Sequence, residues 1–64
     1  MKIKELKKGE FFTLKPTNEP KENQVFIRGD YDRSMKKYEC TRFSDINSWR
    51  YLKPETVVYT DFIF

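Results

Sequence analysis

Sixty-four residues make one small domain, 1–64, and its composition excludes several chemistries at once. Without histidine and with one cysteine, the chain has no imidazole for proton transfer, no disulfide of its own and no zinc ligand set. A chain this short buries only about 60% of its unfolded surface, so the eleven aromatic residues have to supply much of the core. The net charge is +3, and residues 1–15 hold all of the excess: Lys2, Lys4, Lys7, Lys8 and Lys15 stand against Glu5 and Glu10, while the remainder balances eight cations with eight acids.

In chain order, residues 3–9 form an irregular turn that directs Ile3 and Leu6 inward and ends at Gly9. Residues 10–15 alternate as a strand, with Phe12 and Leu14 on one face and Phe11 and Thr13 on the other. Residues 16–23 contain Pro16, Pro20 and no apolar side chain, which makes them a loop. Residues 24–28 and 37–43 are two strands of a hairpin whose long, charged tip opens at Gly29-Asp30. Strict alternation from Tyr38 and Cys40 turns Arg42 inward and Phe43 outward, so a bulge near residues 41–43 is expected to return Phe43 to the core. Ser44 to Asn47 is turn-like, residues 48–53 make a short strand in preference to one helical turn, and Pro54-Glu55 breaks the chain before a last strand, 56–64. The expected buried set is Phe12, Leu14, Val25, Ile27, Tyr38, Cys40, Trp49, Leu52, Val57, Tyr59 and Phe62.

Five short strands without a useful helix predict an all-β fold, a small five-stranded antiparallel barrel in which closure removes exposed edges. The alternative is an open antiparallel sheet that pairs along an edge as a dimer. Leu6-Lys7-Lys8-Gly9-Glu10-Phe11-Phe12 resembles the entry into the first strand of small SH3-like barrels. Leu52-Lys53-Pro54-Glu55-Thr56-Val57-Val58 is similar to the proline-led entry into their last strand. The resemblance implies a closed barrel and carries no activity with it. The acidic loop and tryptophan pair of peptide-binding SH3 domains are missing, so proline-peptide binding does not follow.

Catalysis, cofactors and metals are not expected. Cys40 has no recognisable base and fits a small buried apolar position. The run Asp30-Tyr31-Asp32-Arg33-Ser34 imitates the start of a calcium loop, but Met35 replaces the required glycine and Thr41 the closing glutamate. Asp30 is expected to shape the tip turn through its side chain. Gly9 and Gly29 are the only glycines, so there is no glycine-rich phosphate loop. What remains is a mixture of cations and rings, the combination that single-stranded nucleic acid needs. Lys15, Arg28, Tyr31, Arg33, Lys36 and Lys37 are the candidate binding residues, with Phe11 and Phe26 either outward-facing or in the core. The expectation is a non-catalytic binding module for DNA or RNA. The alternative is a small protein-interaction module, an inhibitor, adaptor or assembly subunit. What separates the two is charge purity, because a nucleic-acid surface should be nearly free of acids. The lone cysteine suits a reducing, cytoplasmic location. The basic start lacks the apolar run of a signal peptide, and no segment approaches the ~20 apolar residues that span a bilayer.

Overall fold

In the computed structural model, which describes residues 1–63, four strands form one open antiparallel sheet in the order β1-β2-β3-β4. They are β1 (Phe11–Thr13), β2 (Val25–Asp32), β3 (Lys37–Arg42) and β4 (Asp45–Leu52). The remaining regular structure is two 3-10 turns, Ile3–Glu5 and Glu22–Gln24. Among the described residues no helix is long and apolar enough to cross a membrane. The fold is all-β, but the sheet is open and four-stranded where sequence predicts a closed five-stranded barrel. Residues 56–63 do not form the expected fifth strand, and Phe64 lies outside the described residues. That segment instead makes two isolated bridges, Val57 with Lys2 and Tyr59 with Thr13.

The turns share one local device. Backbone N–H groups left open at the start of a turn are satisfied by a side chain three residues on. The Lys2 N–H donates to Glu5 Oε2 at 2.6 Å, the Lys7 N–H to Glu10 Oε1 at 2.6 Å, and the Lys21 N–H to Gln24 Oε1 at 2.8 Å. Gly9, at φ 91°, lies in the left-handed region where glycine carries little penalty, and its N–H donates to the Arg28 carbonyl at 2.8 Å. At the tip, Asp32 and not Asp30 shapes the turn. Asp32 Oδ1 accepts from the N–H groups of Ser34 and Met35 at 2.9 and 3.1 Å, while Asp30 forms an ion pair with Lys8 at 2.8 Å.

One face of the sheet packs on the first 3-10 turn and the C-terminal segment. Ile3, Leu6, Phe12, Phe26, Cys40 and Val58 form the buried cluster, flanked by half-buried Leu14, Tyr38 and Leu52. Register explains the membership. Phe12 opposes Phe26, Phe26 opposes Arg42, and Arg28 opposes Cys40, which in turn opposes Arg50. Directly opposed residues share a face, so Phe26 and the three arginines lie on the core side. Phe11, Ile27, Thr41 and Trp49 form the row on the other side.

The expected buried set is corrected by the same register. Phe12, Val25 and Cys40 are buried, and Ile27 and Tyr59 are half-buried. Trp49 is 56% exposed because its neighbour Arg50 takes the inward position opposite Cys40. Val57 is 50% exposed and Val58 is buried in its place, one residue out of phase with the expectation. A register irregularity does fall between Thr41 and Arg42, but it leaves Phe43 on the outer side, edge-on to Phe11 at 5.6 Å.

A second irregularity, between Arg28 and Tyr31, contains Gly29. A Cβ there would stand 2.5 Å from the Glu39 carbonyl oxygen, which is backbone and has nowhere to go. Gly29→Ala should therefore destabilise the domain by about 1–3 kcal/mol in denaturant unfolding, the range of overpacked sites; unchanged stability would mean that the two strands separate here without strain.

The chain start is tied to its second half by ions. Glu55 pairs with Lys2 at 2.6 Å and Lys4 at 2.7 Å. Their ammonium groups hold the Glu55 carboxyl at about 2, down from an ordinary 4.5, and Glu55 raises Lys4 in return. A depressed carboxyl contributes stability above its unfolded value and loses it as pH falls toward the folded one. The melting temperature should thus fall as pH drops from about 4.5 toward about 2, less so in Glu55→Gln and less at high salt, since all three side chains are about half exposed. Superimposable pH profiles for the variant and the parent would remove this clamp from the account.

Candidate anion-binding cleft

The six residues expected to bind are not one surface. Arg33 and Lys36 are exposed on the tip, and Lys37 is half-buried at its base. Lys36 is held at φ 57°, a left-handed conformation unusual for a side chain with a Cβ. Arg28 is turned over the Tyr38 ring, its Cζ 4.2 Å from the centroid, and its Nη1 donates to the Gly29 carbonyl at 2.8 Å. Tyr31 meets the same ring edge-on at 4.9 Å. Arg28 and Tyr31 thus share Tyr38 as a platform, while Lys15 lies elsewhere, at the far end of β1 beyond Thr13. Acids sit among the tip cations: Asp30 neutralises Lys8, Asp32 caps the turn, and Glu39 is exposed on β3.

Lys15 instead borders a cleft of about 320 Å³ whose walls also include Thr17, Asn23, Gln24, Arg42 and Arg50, with Phe26 below. The Thr13 hydroxyl donates to the Lys15 carbonyl at 2.7 Å and holds the chain as it leaves β1. The closed turn Glu22–Gln24 brings Asn23 and Gln24 to the opposite wall. Arg42 and Arg50 arrive from β3 and β4, with their Cζ atoms 5.3 and 5.2 Å from the Phe26 ring centre, within cation–π range. Phe26 is 5% exposed and stacks on Phe12 at 5.8 Å, so the cleft floor is continuous with the core.

Among the described residues the cleft lining contains Lys15, Arg42 and Arg50 and no carboxylate. Arg42 Nη1 donates to the Asn23 carbonyl at 3.2 Å, but its buried Nε has no hydrogen-bond partner among the described residues. A buried donor without an acceptor costs about 1–3 kcal/mol, and a ligand oxygen arriving in the cleft relieves that cost if it reaches Nε. Arg28 Nε is orphaned in the same way, but Arg28 does not line this cleft.

Sequence reasoning missed Arg42 and Arg50. The available signal was parity: Arg42 shares its face with Tyr38 and Cys40, and an inward-directed cation on a core strand is rare unless paired. For Arg50 that signal is concealed, because the apolar pattern of residues 48–53 directs Trp49 inward.

The other chemical candidate is inert. Cys40 is fully buried, burial pushes its thiol up to about 11, and the thiol faces the Tyr38 carbonyl at 3.7 Å. A thiol so far above neutral pH is not a nucleophile. Among the described residues no group of three or more His, Cys, Asp or Glu comes together to hold a metal. No protein-family model matches the chain, and it matches neither a curated protein nor a solved structure.

Proposed function

We propose that the protein is a non-catalytic binding module for nucleic acid, holding the phosphates of single-stranded DNA or RNA in the cleft of Lys15, Arg42 and Arg50. The observation that carries this reading is the charge purity of the cleft, three cations without an acid, against the mixed charges of the tip. Arginine suits the task because its planar fork gives two parallel hydrogen bonds to a phosphate and its flat face stacks on bases. Both guanidinium groups already lie over the Phe26 ring, which limits the side-chain entropy lost on binding. The tip cations Arg33, Lys36 and Lys37 then act at longer range, and Arg28 serves the sheet rather than the ligand.

A protein partner is the second reading, favoured by Tyr31 and Met35, which are exposed together on the mixed-charge tip where interfaces enrich aromatic residues. Salt titration of oligonucleotide binding decides between them. Three phosphate contacts at about −0.7 each set a slope of about −2 in log affinity against log salt on single strands. Arg42→Ala with Arg50→Ala should remove about 1.4 of that slope, two contacts' worth, with the fold checked by circular dichroism. Lys36→Ala with Lys37→Ala should change it less. The reading fails if the parent protein binds no oligonucleotide at about 50 mM salt, where phosphate contacts are strongest, and Tyr31 and Met35 then become the residues to scan for a protein partner.

A further inference from the structure

We propose that β4 is a self-association edge, along which a second copy of this chain pairs antiparallel about a two-fold axis through Trp49. The inference stands independently of the nucleic-acid reading. The two borders of the sheet differ. On β1, Thr13 exchanges backbone hydrogen bonds with Tyr59 at 2.8 and 2.9 Å. On the other border, β4 pairs with β3 alone, and among the described residues no backbone group of residues 45–52 bonds to another segment. An eight-residue bare edge is a template for another strand, and folded proteins blunt such edges with lysine, proline or distortion. Within Asp45–Leu52 there is neither lysine nor proline, and the one distortion, at the step between Thr41 and Arg42, leaves Ile46–Ser48 without partners on β3. The strand also carries two of the most exposed apolar side chains of the molecule, Ile46 at 76% and Trp49 at 56%.

Charge and shape select the second copy as the occupant. Opposed residues in an antiparallel pair share a face, so self-pairing has to be centred on a residue to keep like faces together. Centring on Trp49 sets Asp45 against Lys53 of the second copy, and Ile46 against Leu52, each twice by symmetry, with tryptophan beside tryptophan at the axis. Asp45 spends only Oδ1 on the Asn47 N–H, at 3.0 Å, which leaves Oδ2 for the lysine. Neighbouring registers lose this match. Centring on Ser48 puts Ile46 against Arg50, and centring on Arg50 puts two like charges face to face. The dimer is an eight-stranded sheet with both basic clefts on one side, because Arg50 of each copy keeps its place on the core face.

Sedimentation equilibrium over a concentration series tests this, with the emission of the sole tryptophan as a second readout. The parent chain should sediment as a monomer–dimer mixture, and its emission should shift to the blue as the dimer forms. Trp49→Glu, which sets two carboxylates on the axis at an already exposed position, should be monomeric. Asp45→Lys should weaken dimerisation about tenfold or more by opposing lysine to lysine, and adding Lys53→Asp should restore it, which a merely misfolded variant cannot show. A monomer throughout the series overturns the proposal and leaves the edge to an extended peptide of another protein. A dimer that survives Trp49→Glu, or that the double charge swap fails to restore, overturns it as well.

Discussion

Phe26 is the side chain on which the two halves of this structure depend. One face of its ring stacks on Phe12 and closes the hydrophobic cluster. Arg42 and Arg50 lie over it from neighbouring strands. A charge beside a core ring is tolerable because guanidinium is weakly hydrated and attracted to the aromatic quadrupole. The core therefore ends in a basic lid instead of a polar rim, and the lid coincides with the wall of the cleft. Replacing Phe26 by an aliphatic residue removes the floor from the cleft and the cap from the core together.

The rest of the fold shows what holds a chain of this size together. Its four strands are joined by ladders, while the two ends of the chain are held by single bridges and by the Glu55 clamp on Lys2 and Lys4. Exposed ion pairs contribute little each, so the ends are secured chiefly by burial of Ile3, Leu6 and Val58. The N-terminal lysines are consequently less a binding surface than their number suggests. Lys2 and Lys4 are engaged by Glu55 and Lys8 by Asp30, which leaves Lys7 and Lys15, and of these two Lys15 lines the cleft.

The fold class was legible in the sequence because alternation and turn chemistry act locally. The hairpin from Val25 to Arg42, the loop over 16–23 and the inward Ile3 and Leu6 follow from nearest neighbours in the chain. What was not legible is set by pairing between strands. Whether Trp49 or Arg50 faces the core depends on β4 meeting β3 with Thr41 opposite Trp49, and no local pattern in Ser48 to Lys53 determines that. Val58 displaces Val57 for the same kind of reason, because the segment is placed by its bridge to Lys2. The candidate site was half legible. Its charges were visible, but Lys15 had no visible link to Arg42 and Arg50, which are distant in sequence and adjacent only across the sheet.

The central claim is that Arg42 is kept for a ligand and not for the fold. Its buried, unpartnered Nε is a cost to the folded protein in the absence of an anion. Comparing denaturant unfolding of Arg42→Met with the parent tests this most directly, since methionine keeps the length and apolar stem but carries no donor. The account predicts a near-unchanged stability for the variant, because relief of the orphaned donor, about 1–3 kcal/mol, offsets loss of the charged bond to the Asn23 carbonyl, about 1.5–3 kcal/mol. A loss of more than about 3 kcal/mol, beyond what its one charged hydrogen bond to the Asn23 carbonyl contributes, would contradict it and make Arg42 a structural residue.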